Sequence, residues 1–204
     1  ANEDVYDLAN EMIGELNAGH TYVSGGDDQA APRKMAVGLL GVDFDTPAGS
    51  SHHRIGHIVP RVDWDEAHRS PLAEPDCPIK DGDYLVAIDG VEVRATDNPY
   101  KFLENKSEKA VRVSYNTRAS KDGAKTYLAK TISSEGTIRY CEWVERNREV
   151  VTKASGGRIG YLHLPDMGEP GLIEFGRWYY PQHTKEAIII DERYNGGGFV
   201  GDMI

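Results

Sequence analysis

The chain has 204 residues, of which 39% are hydrophobic and 27% are charged, and its formal net charge is −10. This composition is typical of a soluble globular protein with one or two hydrophobic cores. Because acidic residues outnumber basic ones by 33 to 23, a partner with a phosphate backbone is disfavoured, and we expect no nucleic-acid binding. The apolar runs fall well short of the roughly 20 residues that cross a bilayer, so we expect no membrane span.

The two cysteines, Cys77 and Cys141, lie far apart in the sequence. Neither has a second Cys or His at ligand spacing nearby, so the pattern supports neither a zinc site nor a disulfide framework, and we expect no cofactor. The chain starts with Ala1-Asn-Glu-Asp-Val5, which lacks the basic start and apolar core of a signal peptide. We expect a cytoplasmic protein, and we expect both ends to be cut from a longer chain.

The first predicted element is an amphipathic helix over residues 4–16. Its apolar residues recur at spacings that place them on one stripe, which we expect to face a core: Val5, Leu8, Ala9, Met12, Ile13 and Leu16. Asn17-Ala-Gly19 predicts the end of this helix, and His20 follows at the junction with a short extended piece. The polar, turn-rich residues 24–34 are typical of a connector.

The middle of the chain is predicted to be rich in β-structure. Short strands separated by Gly, Pro and Ser are predicted over residues 37–44, 56–60, 111–115 and 126–132. The Asp81-Gly82 and Asp89-Gly90 pairs bracket an apolar strand and predict a β-hairpin. Asn98-Pro99 predicts the start of a short helix.

Several histidines in this region lie near acidic residues at positions 63–66 and raise the hypothesis of a metal site. They are His52, His53, His57 and His68. They form no pair at i and i+4 on a credible helix with a third ligand, so we interpret them as histidines of surface loops. His163, flanked by two leucines in a predicted strand, is interpreted as a structural histidine.

The last part of the chain alternates helices and strands. Helices are predicted over residues 137–151 and 172–180, and strands over 160–165 and 187–191. This β-α-β order predicts a parallel strand pair with a right-handed crossover. The β-branched run from Ala187 to Asp191 predicts a strand buried on both faces.

A triple-glycine turn, Asn195-Gly196-Gly197-Gly198, follows that last strand. Bare backbone N–H groups in such a turn can stabilise the negative oxygen that develops when a carbonyl is attacked. A tight strand-to-helix turn with no chemical role is the alternative interpretation.

Three sequence elements occur in a characteristic order. Leu16-Asn-Ala-Gly-His20-Thr-Tyr22 follows the first helix, and the middle unit contains Gly38-Leu-Leu-Gly41 and the stretch from Lys80 to Gly90. Gly160-Tyr-Leu-His-Leu-Pro-Asp-Met-Gly168 then leads to Asp191-x-Arg-x-Asn-Gly-Gly-Gly198. With these elements the chain resembles the tricorn proteases, which belong with the carboxyl-terminal-processing serine peptidases.

This resemblance implies a mixed fold, α+β and α/β, in which a β-rich PDZ-like domain is inserted between segments of a βα serine-peptidase domain. Residues 1–35 are the expected N-terminal catalytic segment, residues 36–134 the PDZ-like domain, and residues 135–204 a catalytic βαβ segment cut short after the glycine loop. The resemblance also implies that the full-length protein hydrolyses oligopeptides, and it is compatible with a homo-oligomer of that protein.

The resemblance further implies roles for individual residues. His20 corresponds to the general base, Gly198 to an oxyanion-hole donor, and Gly196, Gly197 and Gly198 to a substrate-binding strip. The nucleophilic serine of the family lies downstream of the triple glycine, so we expect these 204 residues to be inactive by themselves. A non-catalytic peptide-binding PDZ-like module, with a purely structural glycine loop, is the alternative function.

Overall fold

The computed structural model describes residues 2–17, 19, 21–23, 35–62 and 69–204. The chain forms two compact units, residues 1–35 and residues 36–204. A search of the helices in the described ranges finds none that is long and apolar enough to cross a membrane.

The first unit contains helix α1, Asn2–Gly14. The side-chain amide of Asn10 binds the backbone of Val23, accepting a hydrogen bond from its N–H at 3.1 Å. The apolar stripe does not face a core as we expected, since Val5, Leu8, Met12 and Leu16 are 59–70% exposed. The physical reason is that α1 is the only helix or strand in the described part of this unit, so no second described element of the unit covers the stripe.

The second unit begins with a six-stranded antiparallel sheet. Its strands are β1 (Val42–Asp45), β2 (His53–Ile58), β3 (Tyr84–Ile88), β4 (Val91–Glu92), β5 (Ala110–Asn116) and β6 (Lys125–Lys130). Their order is β1-β2-β3-β5-β6, and β4 pairs with β3. The core comprises Leu40, Val42, Ile55, Leu72, Ile79, Leu85, Ile88, Val93, Leu103, Val111, Val113, Tyr115 and Ala129.

The predicted hairpin is present between β3 and β4. Ile88 pairs with Val91, and the two residues between them, Asp89 and Gly90, have φ angles of 50° and 83°. Two consecutive positive φ angles define the type of tight turn that an Asp-Gly pair favours. The short helix predicted at Asn98-Pro99 is a 3-10 helix, Pro99–Leu103, whose first turn is capped by the Asn98 side chain.

The remainder of the second unit is a βαβ arrangement preceded by a long helix. It consists of α2 (Gly136–Ser155), β7 (Ile159–His163), α3 (Glu169–Tyr179) and β8 (Ala187–Asp191). β7 and β8 pair in parallel, as predicted, and both α2 and α3 pack on β7. The mixed α/β fold class predicted from the sequence is confirmed.

The predicted burial of β8 on both faces is wrong. Ile189 and Ile190 point to opposite faces of the strand, and they are 45% and 44% exposed. Within the described residues β8 pairs with β7 alone, so its second edge carries no strand. An apolar β-branched sequence shows that a strand favours burial, but not which neighbours cover it.

Two of the histidines near the start of the sheet are buried rather than in surface loops, so our interpretation is corrected for them. His52 is 3% exposed and its Nδ1 lies 2.8 Å from the Val93 carbonyl oxygen. His53 is 7% exposed and its Nε2 lies 2.8 Å from the Asp97 carbonyl oxygen. His68 and residues 63–66 lie outside the described residues. Across the described ranges there is no group of three or more His, Cys, Asp or Glu side chains that could hold a metal ion.

Candidate active site

The triple-glycine loop lies beyond the carboxyl ends of two parallel strands. β7 continues into Leu164 and Pro165, and β8 continues through Arg193 into the loop. In open parallel sheets, ligands bind at this end of the strands. The topology therefore places the loop where a substrate site is expected.

Asn195 organises the first half of the loop through both ends of its side chain. Its Nδ2 donates a hydrogen bond to the Leu164 carbonyl oxygen at 3.0 Å, and its Oδ1 accepts one from the Gly197 N–H at 2.8 Å. The Gly196 N–H donates to the Pro165 carbonyl oxygen at 3.0 Å. These bonds fix the loop against the segment that follows β7, and they use the N–H groups of both Gly196 and Gly197.

Met167 holds the second half of the loop. Its N–H donates to the Gly197 carbonyl oxygen at 2.8 Å, and its carbonyl oxygen accepts from the Val200 N–H at 2.9 Å. Gly198 forms a parallel bridge with Met167 and has a φ angle of 149°. A β-carbon on Gly198 would overlap the Met167 carbonyl group, so the position requires glycine for both space and conformation.

Gly198 differs from its two neighbours in what its N–H contacts. Within the described part of the chain, the Gly198 N–H has no hydrogen-bond acceptor, whereas those of Gly196 and Gly197 are engaged. One backbone donor of the triple glycine is thus available to a ligand. A donor held in advance by its surroundings is the chemical requirement for stabilising a developing oxyanion.

The start of the loop is fixed by Asp191, the last residue of β8. The Asp191 carboxylate is buried and pairs with the Arg193 guanidinium, with Oδ2 2.6 Å from Nη2 and Oδ1 3.0 Å from Nε. The Tyr161 hydroxyl donates to the same Oδ2 at 2.7 Å. Hydrogen bonds from Arg193, with a further one from Tyr161, hold the pKa of Asp191 well below its usual range despite burial.

His163, at the end of β7, ties the loop to α2. Its Nε2 lies 2.7 Å from the Arg193 carbonyl oxygen, and its Nδ1 lies 2.9 Å from the Tyr140 hydroxyl. A carbonyl oxygen can only accept, so Nε2 carries the proton and Nδ1 accepts from Tyr140. The Trp143 ring packs edge-on against the imidazole, with centroids 4.9 Å apart. His163 is 3% exposed, which agrees with its interpretation as a structural histidine.

Of the residues predicted for the site, Gly196, Gly197 and Gly198 lie together in this loop, and His20 lies outside the described residues. The sequence did not reveal what holds the glycines in place. The spacing Asp191-x-Arg193-x-Asn195 was visible, but the partners of these side chains, such as Leu164, come from a segment about thirty residues earlier. Only the folded chain brings the two segments together.

Comparisons with known proteins relate this chain to one family of proteases. Residues 38–134 match the family model of the tricorn protease PDZ domain. The chain is 34% identical, over 98% of its length, to the tricorn protease homolog of Saccharolobus solfataricus, and 36% identical, again over 98%, to the tricorn protease of Thermoplasma acidophilum. The chain belongs to the tricorn protease family.

The chain is also similar in structure to a solved tricorn protease. A crystal structure of the tricorn protease superposes with a TM-score of 0.77 at 32% identity, and covers 97% of this chain. The chain spans 18% of each of the two relatives and 19% of the solved tricorn protease chain. It therefore corresponds to about a fifth of these tricorn proteases.

Proposed function

We propose that this chain is the part of a tricorn-type serine endopeptidase or oligopeptidase that contributes the oxyanion donor and the general base. The observation that supports this most strongly is the Gly198 N–H, which has no acceptor within the described residues and is held beside Met167 at the carboxyl ends of two parallel strands. Because the chain belongs to the tricorn protease family, we propose that this donor serves in peptide hydrolysis. The full-length protein then hydrolyses oligopeptides.

In this proposal each glycine has a defined task. Gly198 donates its N–H to the oxygen that becomes negative as the scissile carbonyl is attacked. Gly196 and Gly197 have no side chains, so the backbone of an extended substrate can approach them closely. In acyl-transfer enzymes, removal of one such donor costs about 3–4 kcal/mol of transition-state stabilisation.

His20 is proposed as the base that takes the proton from the serine nucleophile. An imidazole suits this task because its unperturbed pKa of about 6.5 lies close to working pH. The proposal for His20 depends on its position in the Gly-His-Thr-Tyr sequence after the first helix, and it is tested by substitution.

The nucleophile is assigned to a part of the full-length protein outside these 204 residues. Several serine hydroxyls of the chain are already engaged in structural hydrogen bonds. Ser51 donates to the Ala119 carbonyl oxygen at 2.7 Å, the buried Ser70 donates to the Val59 carbonyl oxygen, and Ser155 accepts from the Ile159 N–H at 3.2 Å. Within the described ranges no serine hydroxyl hydrogen bonds to a histidine ring, and Ser50 contacts only the backbone of His52. We therefore propose that the 204-residue chain has no hydrolytic activity of its own.

The organisation around this site is proposed as follows. Residues 1–35 and 135–204 are segments of the catalytic domain, and residues 36–134 form the PDZ-like insertion. The protein acts in the cytoplasm on oligopeptides. A homo-oligomer is proposed only for the full-length protein.

The experiment that tests the proposal compares two substitutions in the glycine loop of the full-length protein. Asn195→Ala removes the side-chain bonds to Leu164 and Gly197 that hold the loop leading to Gly198. Glu192→Ala, the control, changes an exposed side chain just before the loop. We expect Asn195→Ala to lower kcat on a fluorogenic oligopeptide about 10- to 100-fold with little change in KM. Equal kcat for both variants would contradict the proposed role of the loop.

A further inference from the structure

The edge of the PDZ-like sheet has the features of a peptide site. β1 is the edge strand and, within the described residues, pairs only with β2. Domains of this type bind an extended peptide as an added strand, and backbone N–H groups can capture the C-terminal carboxylate of a peptide. Gly41, immediately before β1, has a φ angle of 68°, and a β-carbon there would overlap the buried Ser70 hydroxyl. Position 41 therefore requires glycine, both for its backbone conformation and for the close packing of Ser70.

A carboxylate from this same chain already binds that backbone. The Gly41 N–H donates to Oε1 of Glu135 at 2.8 Å, across 94 residues of sequence. The Glu135 side chain is only 10% exposed. Its other oxygen, Oε2, accepts from Nε of Arg139 at 2.7 Å. A buried carboxylate held by a backbone N–H and a guanidinium is a fully built carboxylate site.

The guanidinium of Arg139 also connects this site to β1. Its Nη2 donates to Oδ1 of Asp43 at 2.8 Å as well as facing Glu135. The hydrogen bonds from Arg139 to the two carboxylates raise the pKa of Arg139 above its usual value. Ionic contacts from Arg139 therefore hold the start of α2 onto β1.

An apolar side chain accompanies the carboxylate. Ile138 is 3% exposed, and its Cδ1 lies 3.3 Å from the position that a β-carbon on Gly41 would take. Further along β1, the ring of Tyr100 from the 3-10 helix packs on Phe44, with ring centroids 6.1 Å apart. Glu135, the N-cap residue of α2, and Ile138 in its first turn thus present to Gly41 the same two groups as the end of a peptide, a carboxylate and an apolar side chain.

We propose that Glu135 is an internal ligand that closes the peptide groove of the PDZ-like domain. A peptide with a free C-terminal carboxylate and an apolar last residue binds beside β1 by displacing the Glu135 carboxylate from Gly41 and Arg139. This proposal does not depend on the catalytic function, because it concerns binding to the 204-residue chain alone.

Displacement of the first turn of α2 would change the contacts between α2 and the start of the glycine loop. α2 packs on β7, and its Tyr140 donates to His163, which in turn donates to the Arg193 carbonyl oxygen. Helix α2 therefore contacts both the groove, through Arg139, and the start of the loop, through Tyr140.

The test measures the affinity of a fluorescent peptide that ends in leucine with a free carboxylate, and of its C-terminal amide counterpart. Both are titrated into the 204-residue wild-type chain, Glu135→Ala, Glu135→Gln and the control Glu149→Ala, which alters an exposed carboxylate of α2 paired with Lys153. We expect the two Glu135 variants to bind the acid peptide about 10- to 100-fold more tightly than the wild type and the control. The amide peptide should show no comparable gain.

Three results would overturn the proposal. These are equal affinity of the wild type and both Glu135 variants for the acid peptide, an equal gain for the amide peptide, or no binding by any protein. Circular dichroism checks that each variant is folded. If Glu135→Ala does not fold, Glu135→Gln decides, because it keeps the size of the side chain and loses only its charge.

Discussion

Gly198 and Met167 lie side by side in a parallel bridge, and the Met167 carbonyl group occupies the space that a β-carbon on Gly198 would need. By contrast, the nearest described group to a β-carbon on Gly196, apart from the adjacent residues, would be the Pro165 carbonyl oxygen at 4.0 Å. The two glycines therefore differ in their tolerance of a side chain. Of these two glycines, Gly198, the proposed oxyanion donor, is the one at which the fold excludes a side chain.

The first prediction compares Gly198→Ala with Gly196→Ala. Gly198→Ala should disrupt the bonds that Met167 makes to Gly197 and Val200, so the amides of Met167 and Val200 should exchange with solvent at least about tenfold faster. Gly196→Ala should leave those exchange rates unchanged. Hydrogen exchange measured by NMR distinguishes the two, and similar exchange in both variants would refute the steric argument.

The second prediction concerns Asp191 and acid stability. The pKa of Asp191 is lowered in the folded chain. Its contribution to folding stability is therefore fully present above the unfolded-state pKa of about 3.9, and it is lost as the pH falls towards the pKa of the folded state. Asp191→Asn should reduce the free energy of unfolding by about 2 kcal/mol at pH 7 and flatten its decline in acid. Urea unfolding from pH 7 to pH 3 measures both effects. Asp122→Asn, at an exposed position, is the control and should retain the wild-type acid decline.

The third prediction is the tautomer of His163. The ring should carry its proton on Nε2, which donates to the Arg193 carbonyl oxygen, and ¹⁵N chemical shifts of the imidazole report this directly. His163→Phe should cost about 2–3 kcal/mol of folding free energy, because it leaves the Arg193 carbonyl and the Tyr140 hydroxyl without their partner. Adding Tyr140→Phe should recover part of that loss. A proton found on Nδ1 would contradict the assigned hydrogen bonds.

The fourth prediction concerns stability in alkali. Burial, together with the nearby Cys77 and Asp76, raises the pKa of Tyr127 to about 12. The pKa of an unfolded tyrosine is about 10. The contribution of the protonated Tyr127 hydroxyl to folding stability is therefore fully present below pH 10, and it is lost as the pH rises towards 12. Tyr127→Phe should therefore show a smaller loss of stability between pH 9 and about pH 11 than the wild type. Chemical denaturation at these pH values measures the difference, and identical slopes would count against the assignment.

The sequence predicted the regular elements well where local chemistry decides them. The Asp89-Gly90 pair specified its hairpin because only certain residues favour two positive φ angles in succession. The alternation of helices and strands after residue 135 specified the βαβ unit, because the two periodicities differ. His163 was also interpreted correctly, since an imidazole flanked by leucines in a buried strand needs internal partners.

The sequence could not predict properties that depend on distant neighbours. The exposure of Ile189 and Ile190 depends on which strands lie beside β8, and the exposure of the α1 stripe depends on what else its unit contains. The contact of Glu135 with Gly41 crosses 94 residues and involves a backbone N–H, which has no sequence signature. In the glycine loop, the motif was visible but the availability of one N–H among three was not. His20 and the roles of the three glycines stay predictions that substitution must test.

The most direct test of the central claim is the effect of His20→Ala on peptide hydrolysis by the full-length protein. If the chain contributes the general base of a serine peptidase, kcat should fall about 10²- to 10⁴-fold while the folded protein remains intact. The 204-residue chain alone should hydrolyse nothing. Unchanged kcat in the His20→Ala protein, or hydrolysis by the 204-residue chain, would contradict the account.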